Sequence, residues 1–415
     1  MFSRLARYQW ISNVFLPAAV AVTSACGGSS EPVKTPAADT AKKPADAGNP
    51  APAEDKKPVE AEVKNDKPAD KPVTEPKPTA PKERFALPNV AFDPPEDRKK
   101  ITFGGKDVTA EACLLDTSVP ELKDEWFANA LRNMVAAPDG SIYLTDQDKK
   151  VRHYIPEPGE TCKLAIDPKF GDKGMFAFPE EPERLTVLAD GTLVVIGFNK
   201  FYKYVGGKVE TVECKLHDLL PDGKSGFYRF VDDVRRIDDV ATCKETDWKF
   251  KGWDAPKPEA GKQADKWSVS RIMSWDKDYL LTMTMRGDYY LGIHSPDGKL
   301  KVKFGKDREK DKNLKDGEDI CHVADAGKCA AGLCVLDGNC RQFTVWDPKK
   351  GTMIDSVPVS DLIGVFYPWP VAFAATKGFT YMGFTVKEKE MEGEAAKPSD
   401  KIPSYGVIFR VKGLN

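Results

Sequence analysis

The sequence predicts an all-β fold. Short apolar runs of strand length alternate with turns that contain Gly, Asp or Pro, and no long segment shows the 3.6-residue apolar period of a helix. Of the 415 residues, 41% are apolar, which is enough for a large core. The part that carries these runs, residues 85–415, is longer than a single core usually supports, so a repeating architecture is expected.

Strand–turn–strand units recur along this part of the chain. The clearest has an apolar strand, a Pro-Asp-Gly turn that ends at Gly140, and a second apolar strand. The pattern is found in residues 134–155, 185–212, 270–304 and 371–411. Weaker copies fit residues 229–240 and 343–354, which brings the mean spacing of the units to about 48 residues.

One unit of four antiparallel strands in each stretch of this length is typical of the blades of a β-propeller, which stack radially. We therefore expect six four-stranded blades. A strand at residues 100–103, or one near Cys113, is expected to pair with the last blade and close the ring.

The first 25 residues have the layout of an export signal peptide. Arg4 and Arg7 precede an apolar stretch, residues 10–25, that is too short and too interrupted to span a bilayer well. The small residues that lead into Cys26 resemble the lipobox of bacterial lipoproteins, in which this cysteine is diacylated and becomes the mature N-terminus. The family usually has Leu where this chain has Thr23, and ordinary signal-peptidase cleavage after Ala25 is the alternative.

The lipoprotein resemblance implies lipidation of Cys26 and a membrane as partner. Gly27 is not the Asp of the retention signal for the inner membrane, so an outer-membrane lipoprotein with a periplasmic or surface-exposed domain is expected.

After Cys26, residues 27–84 contain no aromatic side chain, eleven prolines, and equal numbers of acidic and basic side chains. Such a composition cannot bury enough apolar surface to fold, so residues 26–84 are predicted to be a disordered tether. A low-complexity insert without a spacing role is the alternative.

The charge of the chain disfavours one class of partner. The formal net charge is −2, and the tether is close to neutral, so residues 85–415 lack the basic field that nucleic-acid binding needs. The expected partners are an envelope protein or a glycan, besides the membrane.

An even number of cysteines in an exported chain indicates disulfides. Eight follow Cys26, at Cys113, Cys162, Cys214, Cys243, Cys321, Cys329, Cys334 and Cys340. Spacing along the chain favours the pairs 113–162, 214–243, 321–329 and 334–340, among many possible connectivities. A zinc site in residues 321–340 is disfavoured because the paired CxxC spacing of structural zinc sites is missing.

Residues 133–154 resemble the NHL-type repeat and the related gluconolactonase-like propellers, through the Pro-Asp-Gly turn and the apolar strand that ends in Asp146. The resemblance implies the propeller fold. Gluconolactonase-like enzymes hold a divalent metal in the central channel with Glu, Asn and Asp side chains, and Asp146 is the position to which that role can be carried over. A metal-dependent propeller hydrolase or lactonase is therefore the alternative to a binding or scaffolding module.

Motifs of several enzyme classes are missing from the sequence. It contains no HExxH, no GxSxG and no GxGxxG that opens a helix after a strand. Residues 223–225 read Gly-Lys-Ser, but Asp218 stands where a phosphate-binding loop needs glycine. No catalytic residue is assigned, because the four histidines, His153, His217, His294 and His322, have no spacing that would bring two of them together on one element.

Aromatic residues in loops are the remaining candidates for ligand binding, and core packing between blades is the alternative explanation for most of them. Tyr367 and Trp369 are flanked by prolines, and Trp248 and Trp253 lie in a second cluster. The sequence therefore predicts a membrane-anchored envelope lipoprotein whose propeller is a binding or scaffolding module, with no assigned cofactor.

Overall fold

The structure is a computed structural model that describes residues 84–86, 101–118, 131–145, 149–198, 200–221, 226–230, 234–239, 241–248, 268–285, 288–306, 313–315, 317–365, 368–376, 378–387 and 404–414. The chain divides into two compact units, residues 1–75 and 76–415, and every described residue belongs to the second. The predicted signal peptide, Cys26 and nearly all of the predicted tether lie outside the described residues.

The first half of the described chain is made of short strands. They are β1 (Phe85–Ala86), β2 (Ile101–Phe103), β3 (Lys106–Ala112), β4 (Leu114–Asp116), β5 (Asn133–Ala136), β6 (Ile142–Thr145), β7 (Lys150–Pro156), β8 (Lys163–Ile166), β9 (Met175–Ala177), β10 (Arg184–Val187), β11 (Leu193–Ile196), β12 (Phe201–Val205) and β13 (Lys208–Val212).

The second half continues this pattern with one short helix. The strands are β14 (Asp218–Pro221), β15 (Phe227–Phe230), β16 (Val234–Ile237), β17 (Ser268–Trp275), β18 (Asp278–Met285), β19 (Asp288–His294), β20 (Leu300–Phe304), β21 (Val323–Cys329), β22 (Gly332–Asp337), β23 (Gln342–Trp346), β24 (Met353–Pro358), β25 (Trp369–Ala375), β26 (Thr380–Lys387) and β27 (Ser404–Lys412), and the helix is α1 (Val359–Ile363). The described part of the chain holds no helix with the length and apolar content needed to cross a membrane.

These strands form six sheets, numbered here by their order along the chain. Sheet 1 runs β1-β4-β8-β7-β6-β5, with β9 paired to β7; sheet 2 runs β10-β11-β12-β13; sheet 3 runs β14-β15-β16; sheet 4 runs β17-β18-β19-β20; sheet 5 runs β21-β22-β23-β24; and sheet 6 runs β2-β3-β27-β26-β25. Nearly all neighbours are antiparallel, and β4 with β8 is the parallel pair among the described strands.

The sheets are arranged as a propeller. The innermost strands contact one another in the order β5, β10, β14, β17, β21, β25 and back to β5, which is a closed ring. β3, from the start of the described chain, pairs with β27 of the last sheet, with Ala112 opposite Phe409. This confirms the prediction that a strand near Cys113 closes the ring, and it leaves no open edge between the first and last repeats.

The predicted set of six four-stranded blades requires a correction. Five sheets contain four antiparallel strands and are complete blades, whereas sheet 3 has three strands within the described residues. After β16 the described residues make an isolated bridge between Ile237 and Glu245, and a fourth strand of sheet 3 is not among them. The described loop after β16 turns at Asp239, whose carboxylate accepts the backbone N–H of Ala241, and is tied back to Cys214 through Cys243.

Three turns with the sequence Asp-Gly explain why the repeats were visible in the sequence. Gly140, Gly191 and Gly298 all have positive φ, of 90°, 84° and 83°. Only glycine adopts this conformation without strain, so the strands on either side must end there. In the first two turns the preceding aspartate also accepts a backbone N–H two residues later, which fixes the loop.

The core is divided into clusters between neighbouring sheets. The largest joins sheets 5 and 6 and contains Phe103, Phe343 and Phe384, each at most 1% exposed. The rings of Phe103 and Phe343 stack with their centroids 4.9 Å apart. Because each cluster lies between sheets and not at the axis, the centre of the ring is left for polar side chains and a cavity.

All eight cysteines that follow Cys26 are paired. Cys113–Cys162 and Cys214–Cys243 were predicted correctly, but the other pairs are Cys321–Cys340 and Cys329–Cys334. The predicted pairs 321–329 and 334–340 are wrong, because the β21–β22 hairpin turns between Cys329 and Cys334 and brings the chain before the turn alongside the chain after it. The two disulfides are therefore nested around one turn.

Candidate functional site

A cavity of about 1170 Å³ occupies the channel of the propeller. Its lining includes residues from all six innermost strands, so it lies on the axis around which the sheets are arranged. A cavity of this size suits a small organic ligand, and such sites are usually apolar with a few convergent polar groups.

The polar groups come from one structurally repeated position. Bulges in β17, β21 and β25 precede Arg271, Asp325 and Ala372, and each of these is followed by a buried residue of the core. The first residues of β5, β10 and β14 are likewise followed by a buried one. The resulting ring of positions is Asn133, Arg184, Asp218, Arg271, Asp325 and Ala372.

Hydrogen bonds between neighbouring sheets support this equivalence. Oδ2 of Asp218 accepts the backbone N–H of Ile272 at 3.1 Å, from sheet 3 to sheet 4. Oδ2 of Asp325 accepts the backbone N–H of Phe373 at 3.0 Å, from sheet 5 to sheet 6. In both cases the donor follows the ring position of the next sheet, so the two aspartates have the same structural role.

Arg271 connects the two aspartates electrostatically. Its Nη1 lies 3.0 Å from Oδ1 of Asp325 and donates a hydrogen bond to the carbonyl of Ala324 at 2.5 Å. Burial raises the pKa of the Asp218 carboxyl above its ordinary value, although the guanidinium groups of Arg271 and Arg184 oppose the shift. For Arg271, burial favours proton loss, but the carboxylates of Asp325 and Asp218 outweigh it and the pKa is raised.

Two aromatic residues line the cavity beside this ring. Tyr228 and Trp248 have their ring centroids 5.5 Å apart. The Tyr228 hydroxyl and the Trp248 Nε1 both donate to the carbonyl oxygen of Pro296, at 3.0 and 2.9 Å. Because their polar tips are held by the protein, these side chains offer mainly hydrocarbon surface to a ligand.

Charged residues continue from the ring to the β17–β18 turn. Asp276 and Asp278 line the cavity, and each is paired with a lysine, Lys328 and Lys301, at 2.7 Å between Nζ and a carboxylate oxygen. These lysines lie partly exposed, so the pairs contribute little to stability and are free to rearrange.

The residues predicted as sites have different outcomes. Asp146 and Tyr367 lie outside the described residues. Trp369 is 45% exposed at the first position of β25, whereas the cavity is lined by the residues near the end of that strand. Of the second aromatic cluster, Trp248 lines the cavity and Trp253 lies outside the described residues.

The histidines lie in separate places. His153 is buried, with Nδ1 2.9 Å from Oδ2 of Asp167, and burial lowers its pKa despite that carboxylate. His322 precedes β21, and burial, with the nearby arginines Arg184 and Arg271, lowers its pKa, so it is neutral near pH 7. His217 lies 3.7 Å from Glu183 at the surface of sheet 2.

A geometric grouping of possible metal ligands joins Asp319, Cys321 and Cys340. The two cysteines form a disulfide with each other, so neither offers the thiolate that a metal requires. In the channel, the carboxylates of Asp218 and Asp325 share their surroundings with two guanidinium groups, which oppose a divalent cation.

Sequence reasoning missed the four charged residues of the ring, Arg184, Asp218, Arg271 and Asp325. Asp218 was noted only because it excludes a phosphate-binding loop. A signal was present, since each of the four directly precedes an apolar residue of an innermost strand. It becomes visible only when the repeats are aligned on their first strands, and two of those strands, β14 and β21, were not predicted.

No protein-family model matches the chain, and no curated protein matches it. Among solved structures, a catalytically inactive virginiamycin B lyase from Staphylococcus aureus with quinupristin is 10% identical, with a TM-score of 0.42, covering 74% of this chain and 99% of that one. The WD40 β-propeller domain of Doa1 is 9% identical, with a TM-score of 0.43, covering 69% and 94%.

A structural genomics protein of unknown function from Bacteroides thetaiotaomicron is 13% identical, with a TM-score of 0.44, covering 74% of this chain and 76% of that one. At such scores the likeness carries no argument about function. The propeller fold follows from the chain's own sheets and their closed ring of innermost strands, and the candidate site is the charged, aromatic-lined channel.

Proposed function

We propose that this protein is an exported, lipid-anchored binding module of the cell envelope, which takes a small organic ligand in the channel of its propeller. The observation that carries the binding function is the cavity of about 1170 Å³, to which all six innermost strands contribute. A preformed concave site with apolar walls and a few fixed polar groups has the general properties of a ligand pocket.

The charged ring favours a ligand-binding role of the channel over a purely structural one. Buried charges cost free energy unless they are paired, and a propeller axis filled with apolar side chains would avoid that cost. Here Arg271, Asp218 and Asp325 line the cavity, with Arg184 as an electrostatic neighbour of Asp218, and the hydrogen-bonding atoms of the three lining residues are preorganised for a ligand.

Export and anchoring are supported by residues 1–26, with their basic start, apolar stretch and Cys26. The tether proposed for residues 26–84 would hold the domain away from the membrane surface. We also propose that sheet 3 serves as a sixth blade, because β14 contacts β10 on one side and β17 on the other.

The experiment is a fragment screen of the full-length protein by saturation-transfer NMR. Ala375 lines the cavity at the exposed end of β25, so Ala375→Trp should obstruct the cavity without overpacking the core. Val205, 53% exposed at the end of β12 and outside the cavity lining, provides the matched control Val205→Trp. Fragments that bind the wild type and Val205→Trp but not Ala375→Trp are expected. If all bound fragments were retained by Ala375→Trp, the channel would not be the binding site.

A further inference from the structure

The charges of the channel ring balance. Arg184 and Arg271 carry two positive charges, and Asp218 and Asp325 carry two negative charges. The other two ring positions, Asn133 and Ala372, are uncharged. All four charged groups act on one another electrostatically, which places them in one local field. The cavity lining adds Asp276, Asp278 and Asp297 against Arg236 and Lys277, and Lys328 and Lys301 pair with Asp276 and Asp278, so the wider lining carries no large excess of either sign. Such a field favours a ligand without net charge.

The ring nevertheless offers both hydrogen-bond acceptors and hydrogen-bond donors. Asp218 is 4% exposed, and each of its carboxylate oxygens accepts one backbone N–H, from Leu219 at Oδ1 and from Ile272 at Oδ2. Each oxygen can accept a second hydrogen bond. Both described contacts of Arg271, with Asp325 and with the Ala324 carbonyl, engage Nη1, and its Nε has no partner within the described part of the chain.

The aromatic wall lies within reach of these groups. Tyr228 is opposite Leu220 in the register of β14 and β15, two residues along the strand from Asp218, or about 7 Å. Trp248 extends the wall beyond Tyr228. A ligand of moderate size can therefore contact the ring with polar groups and the wall with an apolar face at the same time.

We propose that the ligand is an uncharged carbohydrate, an inference that rests on the proposed function of the channel. Sugar hydroxyls both donate and accept, which matches Asp218 as acceptor and Arg271 as donor. The C–H groups on one face of a sugar ring match the surface of Trp248 and Tyr228. A purely apolar ligand would leave Asp218 and Arg271 desolvated without partners, which costs free energy.

The test compares probes that share one ring and differ in charge. Glucose and N-acetylglucosamine are the uncharged probes, with their β-linked trisaccharides as larger forms. Glucosamine supplies a cationic analogue and glucuronate an anionic one. Binding to the full-length protein is measured by saturation-transfer NMR, and affinities by titration. Uncharged probes are expected to bind at least about tenfold more tightly than either charged analogue.

Three variants locate the binding. Trp248→Ala should weaken saccharide binding about tenfold or more, whereas Trp248→Phe keeps an aromatic face and should retain most of it. The matched control is Trp369→Ala, which removes an exposed tryptophan outside the cavity lining and should change nothing. Circular dichroism spectra of the variants check that the sheets are intact.

Two results would overturn the carbohydrate assignment. One is binding of glucosamine or glucuronate as tight as that of the uncharged sugars, and the other is wild-type affinity in Trp248→Ala. If no saccharide binds while fragments sensitive to Ala375→Trp do, the ligand class is wrong but the channel remains the binding site. If saccharides bind equally well to Ala375→Trp, both proposals fail.

Discussion

Arg271 of β17 and Asp325 of β21 form an ion pair between neighbouring sheets, with Nη1 3.0 Å from Oδ1 and side chains only 11% and 7% exposed. Asp325 also accepts the backbone N–H groups of Ala326 and Phe373. One carboxylate thus joins sheets 4, 5 and 6 at the wall of the channel. The pair shapes the candidate site and holds the ring together there.

Removing one partner of this pair should destabilise the domain strongly. Arg271→Met leaves the Asp325 carboxylate buried without its counter-ion, so a loss of about 3–5 kcal/mol in the free energy of unfolding is expected. The control is Arg132→Met, whose pair with Glu181 has side chains 38% and 40% exposed and should cost under about 1 kcal/mol. Denaturant titrations measure both; equal losses would contradict the structural importance of the channel pair.

His294 should make the domain sensitive to mild acid. It is fully buried, and burial lowers its pKa to about 4. Near pH 6.5 the unfolded chain therefore binds a proton at this histidine, whereas the folded domain does not. Stability should therefore fall as the pH drops from about 6.5 towards 4, by up to about 3 kcal/mol. His294→Phe keeps the ring stacked on Tyr279 and should lose this dependence in denaturant titrations at several pH values. An unchanged slope in His294→Phe would refute the assignment.

Titration of Asp337 should change the stability of the domain with pH in the direction opposite to that of His294. Burial raises its pKa to about 6, although the backbone N–H groups of Cys340, Cys321 and His322 favour the charged form. The folded domain holds the proton above the pH at which the unfolded chain releases it. The contribution of Asp337 to stability should therefore fall as the pH rises from about 4 to 6, by up to about 3 kcal/mol. The wild type should lose stability relative to Asp337→Asn across that window, and a constant difference between the two would contradict the raised pKa.

The disulfides should be found as Cys113–Cys162, Cys214–Cys243, Cys321–Cys340 and Cys329–Cys334 when the unreduced protein is mapped by mass spectrometry.

The contributions of the disulfides to the free energy of unfolding should differ with the length of the loop that each one closes. Replacing Cys113 and Cys162 by Ser opens a loop with a sequence separation of 49 and should cost about 4 kcal/mol. The same change at Cys329 and Cys334, with a separation of 5, should cost about 2 kcal/mol. A larger loss at the short loop would show that chain entropy does not dominate.

The lipid anchor is tested by Cys26→Ser. If this cysteine is acylated, the variant should move from the membrane fraction to the soluble fraction of disrupted cells, because a folded domain without the acyl chains has no anchor there. The mature wild-type protein should carry the mass of the lipid on its N-terminal cysteine. Unchanged fractionation of Cys26→Ser would exclude the lipoprotein proposal, and ordinary cleavage after Ala25 would then explain the signal peptide.

Most of the predicted strands are confirmed, because their signals are local. The unit at residues 270–304 became β17 to β20, with bounds that differ by only a few residues, since apolar alternation and the turn at Gly298 act within one hairpin. The strands β14 and β21 were missed. Each begins beside an aspartate of the channel, and buried charge interrupts the apolar pattern on which strand prediction depends.

The candidate site could likewise be predicted only where its signals are local. Trp248 was named as an aromatic that could belong to a recognition surface, and it lines the cavity, but the residues assigned to ligand binding were Tyr367 and Trp369. The partners of the ring could not be found in this way, because Asp218 and Ile272 are 54 residues apart in the chain and meet only when sheets 3 and 4 lie side by side. The same is true of Cys321 and Cys340, whose pairing depends on the register of a hairpin.

By itself, the sequence determined the all-β class and the approximate positions of most repeats, since these depend on residue patterns and turns that act over short distances in the chain. For the strand that closes the ring it left two candidates, residues 100–103 and a strand near Cys113. Only the tertiary structure decided that sheet 3 has three strands within the described residues and that Asp218, Arg271 and Asp325 line one cavity, with Arg184 as an electrostatic neighbour. Radial packing turns one repeated position of six separate strands into a single ring, and no short-range pattern in the chain carries that information.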